Sequence, residues 1–276
     1  MFRLLLAAVI VLISAPAMVA PAWAALGAGT QTLKLTYQGE SRKYVVHVPQ
    51  SYRVGTATPL VLAFHGGGGF AEYMADDARY GLVSKAGREG FVVVFPNGYS
   101  KFPGGRFATW NAGGCCADAR DKAIDDVGFV RALVAQLKTQ VNVDSARIYA
   151  TGMSNGGMMA HRLACEAPDL FRAVASVAGT DATATCATKR PISVLHIHAR
   201  NDDHVLFNGG AGPGAFRDES KVMNFVSVPP PIPPGVQRDQ CKPTPPRSLP
   251  QPGPPCAPTP GPPPPAPVPP RPPYTR

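Results

Sequence analysis

Residues 32–37 (TLKLTY) and 43–48 (KYVVHV) alternate apolar and polar side chains, the period-two signature of half-buried strands. The QGES segment between them predicts a hairpin. Residues 59–64 (PLVLAF) and 91–95 (FVVVF) are instead continuous apolar runs, as in strands buried on both faces. A helical stretch is expected between them to about Arg88, stopped by Gly90. Residues 97–122 read as a long Gly-rich loop. Beyond it, Asp125 or Asp126 can cap a helix whose apolar positions are Val127, Val130, Val134, Leu137 and Val141. Residues 147–151 (RIYAT) predict a short strand, a helix starts just after Ser154, and residues 171–177 and 192–197 are two more strands. Strand and helix therefore alternate from residue 59 to 198, which builds a mostly parallel sheet with helices on both faces.

The ends of the chain read differently. Arg3, the apolar stretch Leu4–Val19 and the small-x-small triplet Ala22-Trp23-Ala24 form an export signal, with the mature chain starting at Ala25. A membrane anchor is the rival, but the apolar core before Pro16 is too short to span a bilayer. Of the 32 prolines, 23 fall between Pro229 and Arg276. Such a segment favours polyproline II and cannot donate a sheet ladder. The expected organisation is a signal peptide at 1–24, a catalytic domain at 25–228 and a Pro-rich, disordered tail at 229–276.

The net charge of +9 is partly terminal, since the tail alone carries four units of it. The remaining excess is mild and shows no basic cluster, which speaks against nucleic acid as a partner. Six cysteines in an exported chain suggest disulfides. Cys115 and Cys116 are adjacent, so each is expected to seek a distant partner or one to stay free. With no CxxC pair and no histidine beside the cysteines, no metal and no cofactor is expected.

The candidate chemistry starts at Gly152-Met153-Ser154-Asn155-Gly156, a G-x-S-x-G pattern between a predicted strand and a predicted helix. Such a turn lifts a serine hydroxyl above a sheet edge, so Ser154 is the candidate nucleophile. Acyl transfer also needs two backbone N–H groups aimed at the oxyanion. Asn155, the residue after the nucleophile, supplies one. The run His65 to Gly69, directly after a buried strand, supplies the other, with Gly67 first and Gly68 close behind. The acid is expected on a loop after a later strand, where Asp202 and Asp203 stand side by side.

Four segments together (PLVLAFHGGGG, WNAGGCCADARDKAIDDVGFV, YATGMSNGGMMAHRLACEAPDLFRAVASVAGT and VLHIHARNDDHVLFNGG) resemble the secreted polyhydroxybutyrate depolymerase and esterase family, over about residues 31–225. The resemblance implies an α/β-hydrolase fold, related to feruloyl and acetylxylan esterases, and ester hydrolysis without a cofactor. It places the acid on Asp202, four residues after His198, although Ala199 stands where the family usually has glycine. Trp110 looks like a substrate-side aromatic, with a lid or core role as the alternative. The resemblance also puts the catalytic histidine after the last strand, yet no histidine follows His204. A pairing of His204 with Asp202 is the local alternative; His161, His196 and His198 suit structural roles better.

The α/β-hydrolase-like sheet is therefore expected to lack its last strand and helix. The Pro-rich tail in their place is either a natural linker or the product of a disrupted reading frame, and disruption is the favoured expectation. The chain reads as a secreted serine carboxylesterase acting on polyester oligomers or acylated polysaccharides, impaired by its missing base. A feruloyl or acetylxylan esterase is one alternative. A non-catalytic polymer- or glycan-binding scaffold is the other.

Overall fold

The computed structural model describes residues 25–183, 186, 190–215 and 225–228. The expected signal peptide, the Pro-rich tail, Cys241 and Cys256 lie outside the described residues. Seven strands form one sheet: β1 (Gly29–Tyr37), β2 (Glu40–Val48), β3 (Thr58–Phe64), β4 (Val92–Pro96), β5 (Val143–Met153), β6 (Ala173–Val177) and β7 (Ser193–Ile197). Their order is β1-β2-β4-β3-β5-β6-β7. The β1–β2 hairpin pairs antiparallel, with Leu33 opposite Tyr44, and β2 joins β4 antiparallel. From β4 through β3, β5, β6 and β7 every pairing is parallel. Among the described residues the sheet ends at β7, where Leu195 and Ile197 are exposed.

Alternation sorts the strand side chains onto two faces. Val92 and Val94 of β4, with Leu60, Leu62 and Phe64 of β3, pack in one core with Phe129, Leu133 and Leu163. Those partners come from α5 (Asp126–Gln140) and α6 (Asn155–Glu166). Val93 and Phe95 point the other way, against Ala71, Met74 and Ala86. Both faces are thus covered by helices, which explains the unbroken apolar composition of β3 and β4.

Three expectations need correction. The helical stretch after β3 is three short helices, α1 (Ala71–Met74), α2 (Asp77–Tyr80) and α3 (Leu82–Glu89). The Asp76 carboxylate accepts from the Ala78 amide and starts α2 afresh, and left-handed Gly81 (φ 62°) ends it. The loop at 97–122 contains a short helix, α4 (Ala117–Asp121). The strand leading to Ser154 is eleven residues long, because Val143 already pairs with Thr58 and an irregularity carries the chain on to the regular ladder from Ile148.

The cysteine expectation is also overturned. Cys115 and Cys116 are joined to each other, and Cys165 joins Cys186. The loop turns back on itself there, with the Ala112 amide on the Cys115 carbonyl and the Cys116 amide 3.1 Å from the Trp110 carbonyl. Among the described residues the two remaining cysteines, Cys165 and Cys186, are taken up by each other. Gly90 (φ 72°) stops α3 as its position predicts. No helix among the described residues is long and apolar enough to cross a membrane.

Candidate active site

Strand β5 ends at Met153 and α6 begins at Asn155, so one residue makes the whole turn. That residue, Ser154, has φ 53° and ψ −120°, a left-handed conformation that an L side chain adopts only when its surroundings enforce it. The enforcement is visible. The Ser154 amide donates to the Val177 carbonyl of β6 at 2.8 Å, and its carbonyl accepts from Met158 at 2.9 Å. The flanking glycines let the elements close up: a Cβ on Gly152 would lie 2.9 Å from the Gly157 nitrogen, and one on Gly156 would lie 2.5 Å from the His65 carbonyl oxygen. The Ser154 hydroxyl makes no hydrogen bond to the described residues.

The glycine run after β3 faces this turn. Gly68 gives its amide to the Ala108 carbonyl at 2.8 Å, and Gly69 gives its own to Gly66 at 3.0 Å. Gly67 borders the same cavity of about 260 Å³ as Ser154 and Asn155. Of the two candidate donors, Gly68 has its amide engaged with Ala108, and Gly67 is the one that lines the cavity. Asn155 opens α6, so its N–H has no acceptor within the helix, and the positive end of the helix dipole lies there.

The supporting layer was not legible in the sequence. The Asn155 side-chain amide pairs with the backbone of Trp110 in both directions: Oδ1 accepts from its N–H at 2.7 Å and Nδ2 donates to its carbonyl at 3.0 Å. Trp110 itself is fully buried, with Nε1 donating to the His65 carbonyl at 3.0 Å and its ring 5.0 Å from that of Phe64. Its substrate-side reading is corrected accordingly. The ring sits behind the glycine loop as part of the core, and it borders neither cavity next to Ser154. Beneath it, buried Arg42 bonds the Asn97 carbonyl and pairs with fully buried Asp126 at 2.6 Å. Asp126 also accepts from the Asn111 amide at 2.7 Å. Of the two cap candidates, Asp125 caps α5 through the Gly128 amide, and Asp126 turns inward to hold the Trp110 loop.

His65 is locked as well. Its Nε2 accepts from the Gly98 amide at 2.9 Å, so Nδ1 carries the proton and donates to the Gly66 carbonyl at 2.8 Å. Burial, aided by Arg42 and Lys43, pushes its pKa down to about 4, and it stays neutral near pH 7. Three more histidines form a chain. His161 Nε2 meets His196 Nδ1 at 3.2 Å, His196 Nε2 meets His198 Nδ1 at 3.1 Å, and His198 Nε2 donates to the Val205 carbonyl at 2.7 Å. A carbonyl only accepts, so it fixes the proton on Nε2 of all three rings. Burial, with His161 and His198 alongside, lowers the pKa of His196 to about 4.

The loop after β7 completes the site. Asp202, Asp203 and His204 border a second cavity of about 310 Å³ together with Ser154. Asp202 Oδ1 accepts from the His204 and Val205 amides, both at 2.9 Å. Its other oxygen lies 3.6 Å from His198 Nε2. Asp203, not Asp202, meets the His204 imidazole, with Oδ1 at 2.6 Å from Nδ1. The structure therefore gathers Gly67, Ser154 and Asn155 around one cavity and Ser154 and Asp202 around the next, and leaves Trp110 outside both.

The chain is similar to known esterases. A putative esterase, NocK, of Nocardia uniformis subsp. tsuyamanensis is 36% identical over 185 residues, which cover 66% of this chain and 51% of that protein. Feruloyl esterase B of Piromyces equi is 32% identical over 174 residues, covering 61% of this chain and 31% of that one. The chain thus spans about half the length of the first relative and about a third of the second. The crystal structure of native sOPH shares the fold, with a TM-score of 0.51 at 20% identity over 74% of this chain and 73% of that one. A model of the esterase PHB depolymerase family matches residues 43–213, the stretch that carries the glycine run, the Ser154 turn and the Asp202 loop, and the chain belongs to that family.

Proposed function

We propose that the protein is a secreted serine carboxylesterase, with residues 25–228 as its catalytic unit and export directed by residues 1–24. The observation that carries this reading is the conformation of Ser154, a non-glycine residue held at φ 53° between a strand and a helix and lining the same cavity as Gly67. Strain of that kind costs on the order of 1–3 kcal/mol and is kept where function requires it. Ser154 attacks the ester carbonyl, and the amides of Gly67 and Asn155 stabilise the oxyanion of the tetrahedral intermediate. The alcohol leaves, and water releases the acyl group from the serine. Asp202 fixes the loop on the opposite wall through two backbone amides and adds negative charge there.

The relatives' names favour acylated polysaccharides, and the family's name favours polyester oligomers; both are esters that this mechanism cleaves. Release of p-nitrophenol from p-nitrophenyl butyrate, abolished in Ser154→Ala, is the expected result. Binding of polyester film or xylan with no product released would instead identify a binding scaffold.

A further inference from the structure

All six histidines of the chain lie among the described residues, so each is open to comparison as the proton acceptor that Ser154 requires. His65 has both ring nitrogens engaged with backbone groups. His161, His196 and His198 are tied into the chain that ends on the Val205 carbonyl. His47 bonds Thr30 on the far β1–β2 hairpin. None of these five borders either cavity beside Ser154, whereas His204 borders both.

The setting of His204 suits a base. Its Nδ1 lies 2.6 Å from Asp203 Oδ1, and an ionised carboxylate only accepts. The proton therefore sits on Nδ1, which leaves the Nε2 lone pair to take another. Asp202 pins the backbone on which the ring is mounted, through the amides of His204 and Val205. The ring is seated against Gly214, where a Cβ would lie 2.7 Å from both its Cε1 and Nδ1. Only glycine leaves that space. The side chain is 64% exposed.

We propose, resting on Ser154 as the nucleophile, that His204 is the general base of this chain and Asp203 the acid that orients it. As the serine oxygen bonds to the ester carbon, its proton passes to His204 Nε2. The same proton goes to the alkoxide as the ester C–O bond breaks. Water then attacks the acyl-serine, giving one proton to His204, which returns it to the serine oxygen, so serine and imidazole are both regenerated. Ser154 and His204 are not hydrogen-bonded in the free protein; that bond forms when an ester enters, as catalytic hydrogen bonds often tighten only in the substrate complex. Sequence alone offered Asp202 as the partner of His204; the folded loop pairs it with Asp203 instead.

The test is hydrolysis of p-nitrophenyl butyrate by the full chain and by His204→Gln, His204→Ala, Asp203→Asn and Ser154→Ala, with thermal melts to establish that each is folded. His204→Gln is expected to lower kcat by about 10²–10⁴-fold with KM little changed. Added imidazole is expected to restore part of the rate in His204→Ala, a rescue that loss of a structural residue does not give. Asp203→Asn is expected to lower kcat at least about tenfold, by losing the tautomer. Full activity in His204→Gln with none in Ser154→Ala would overturn the assignment of His204 and leave the serine mechanism standing. So would a parent chain that turns over only when imidazole is added. Full activity in Ser154→Ala, or no hydrolysis with imidazole present, would overturn the serine mechanism and the assignment together.

Discussion

Replacing Gly156 with alanine probes how closely the nucleophile turn is fitted to the oxyanion loop. The new Cβ would lie 2.5 Å from the His65 carbonyl oxygen and 2.7 Å from the Phe64 carbonyl carbon, and closer still to the Phe64 oxygen. Ordinary contact begins at 3.4 Å, so α6 must back away from the end of β3 by about 1 Å. Every obstructing atom is backbone, so no side-chain rotation relieves it. Helix α6 carries Ser154 and the Asn155 amide, and the end of β3 leads into Gly67. The shift therefore opens the gap between nucleophile and oxyanion donor, and a misplacement of about 1 Å costs on the order of 10²-fold in rate. Overpacking adds about 1–3 kcal/mol of destabilisation. Gly87→Ala is the control, since α3 leaves open space at that position and alanine gains about 1 kcal/mol in a helix interior. Steady-state kinetics with p-nitrophenyl butyrate and urea melts read both effects. Activity and stability of Gly156→Ala equal to those of Gly87→Ala would refute the fitted-turn reasoning.

Other consequences are equally direct. Asn155→Ala strands the buried Trp110 N–H, and is expected to cost about 1–3 kcal/mol in urea unfolding and to lower kcat more than it changes KM. Asp125→Ala removes the cap of α5 and the partner of the Tyr37 hydroxyl, at about 1–2 kcal/mol by the same measurement. Because the folded pKa of His65 is about 4, the unfolded chain takes up its proton first as pH falls. Stability is therefore flat above pH 6.5 and declines by up to roughly 3 kcal/mol between pH 6.5 and 4, with a smaller loss of the same sign from His196. His65→Gln is expected to flatten that slope in pH-dependent denaturation curves.

The sheet was readable because its signals are local. Continuous apolar runs marked β3 and β4, and alternation marked β1 and β2. The nucleophile turn was readable because glycines at 152 and 156 flank a serine at the only place among the described residues where a strand runs straight into a helix. What stayed hidden depends on contacts distant in sequence. The Asn155 clamp reaches Trp110, and Arg42 reaches Asp126, across gaps that no local period encodes. Trp110, beside the Gly-Gly-Cys-Cys loop, looked like a substrate-side aromatic with a lid or core role as the alternative, and the folded loop turns it into the core. The joined Cys115–Cys116 pair was unforeseen because the loop's closure on itself has no signature in spacing.

The nucleophile is tested most directly by trapping its acyl-enzyme. Acid quenching during turnover of p-nitrophenyl butyrate, followed by peptide mass spectrometry, should find a butyryl group on Ser154 and none in the Ser154→Ala protein. A butyryl group on another residue, or undiminished turnover by Ser154→Ala, would contradict the account.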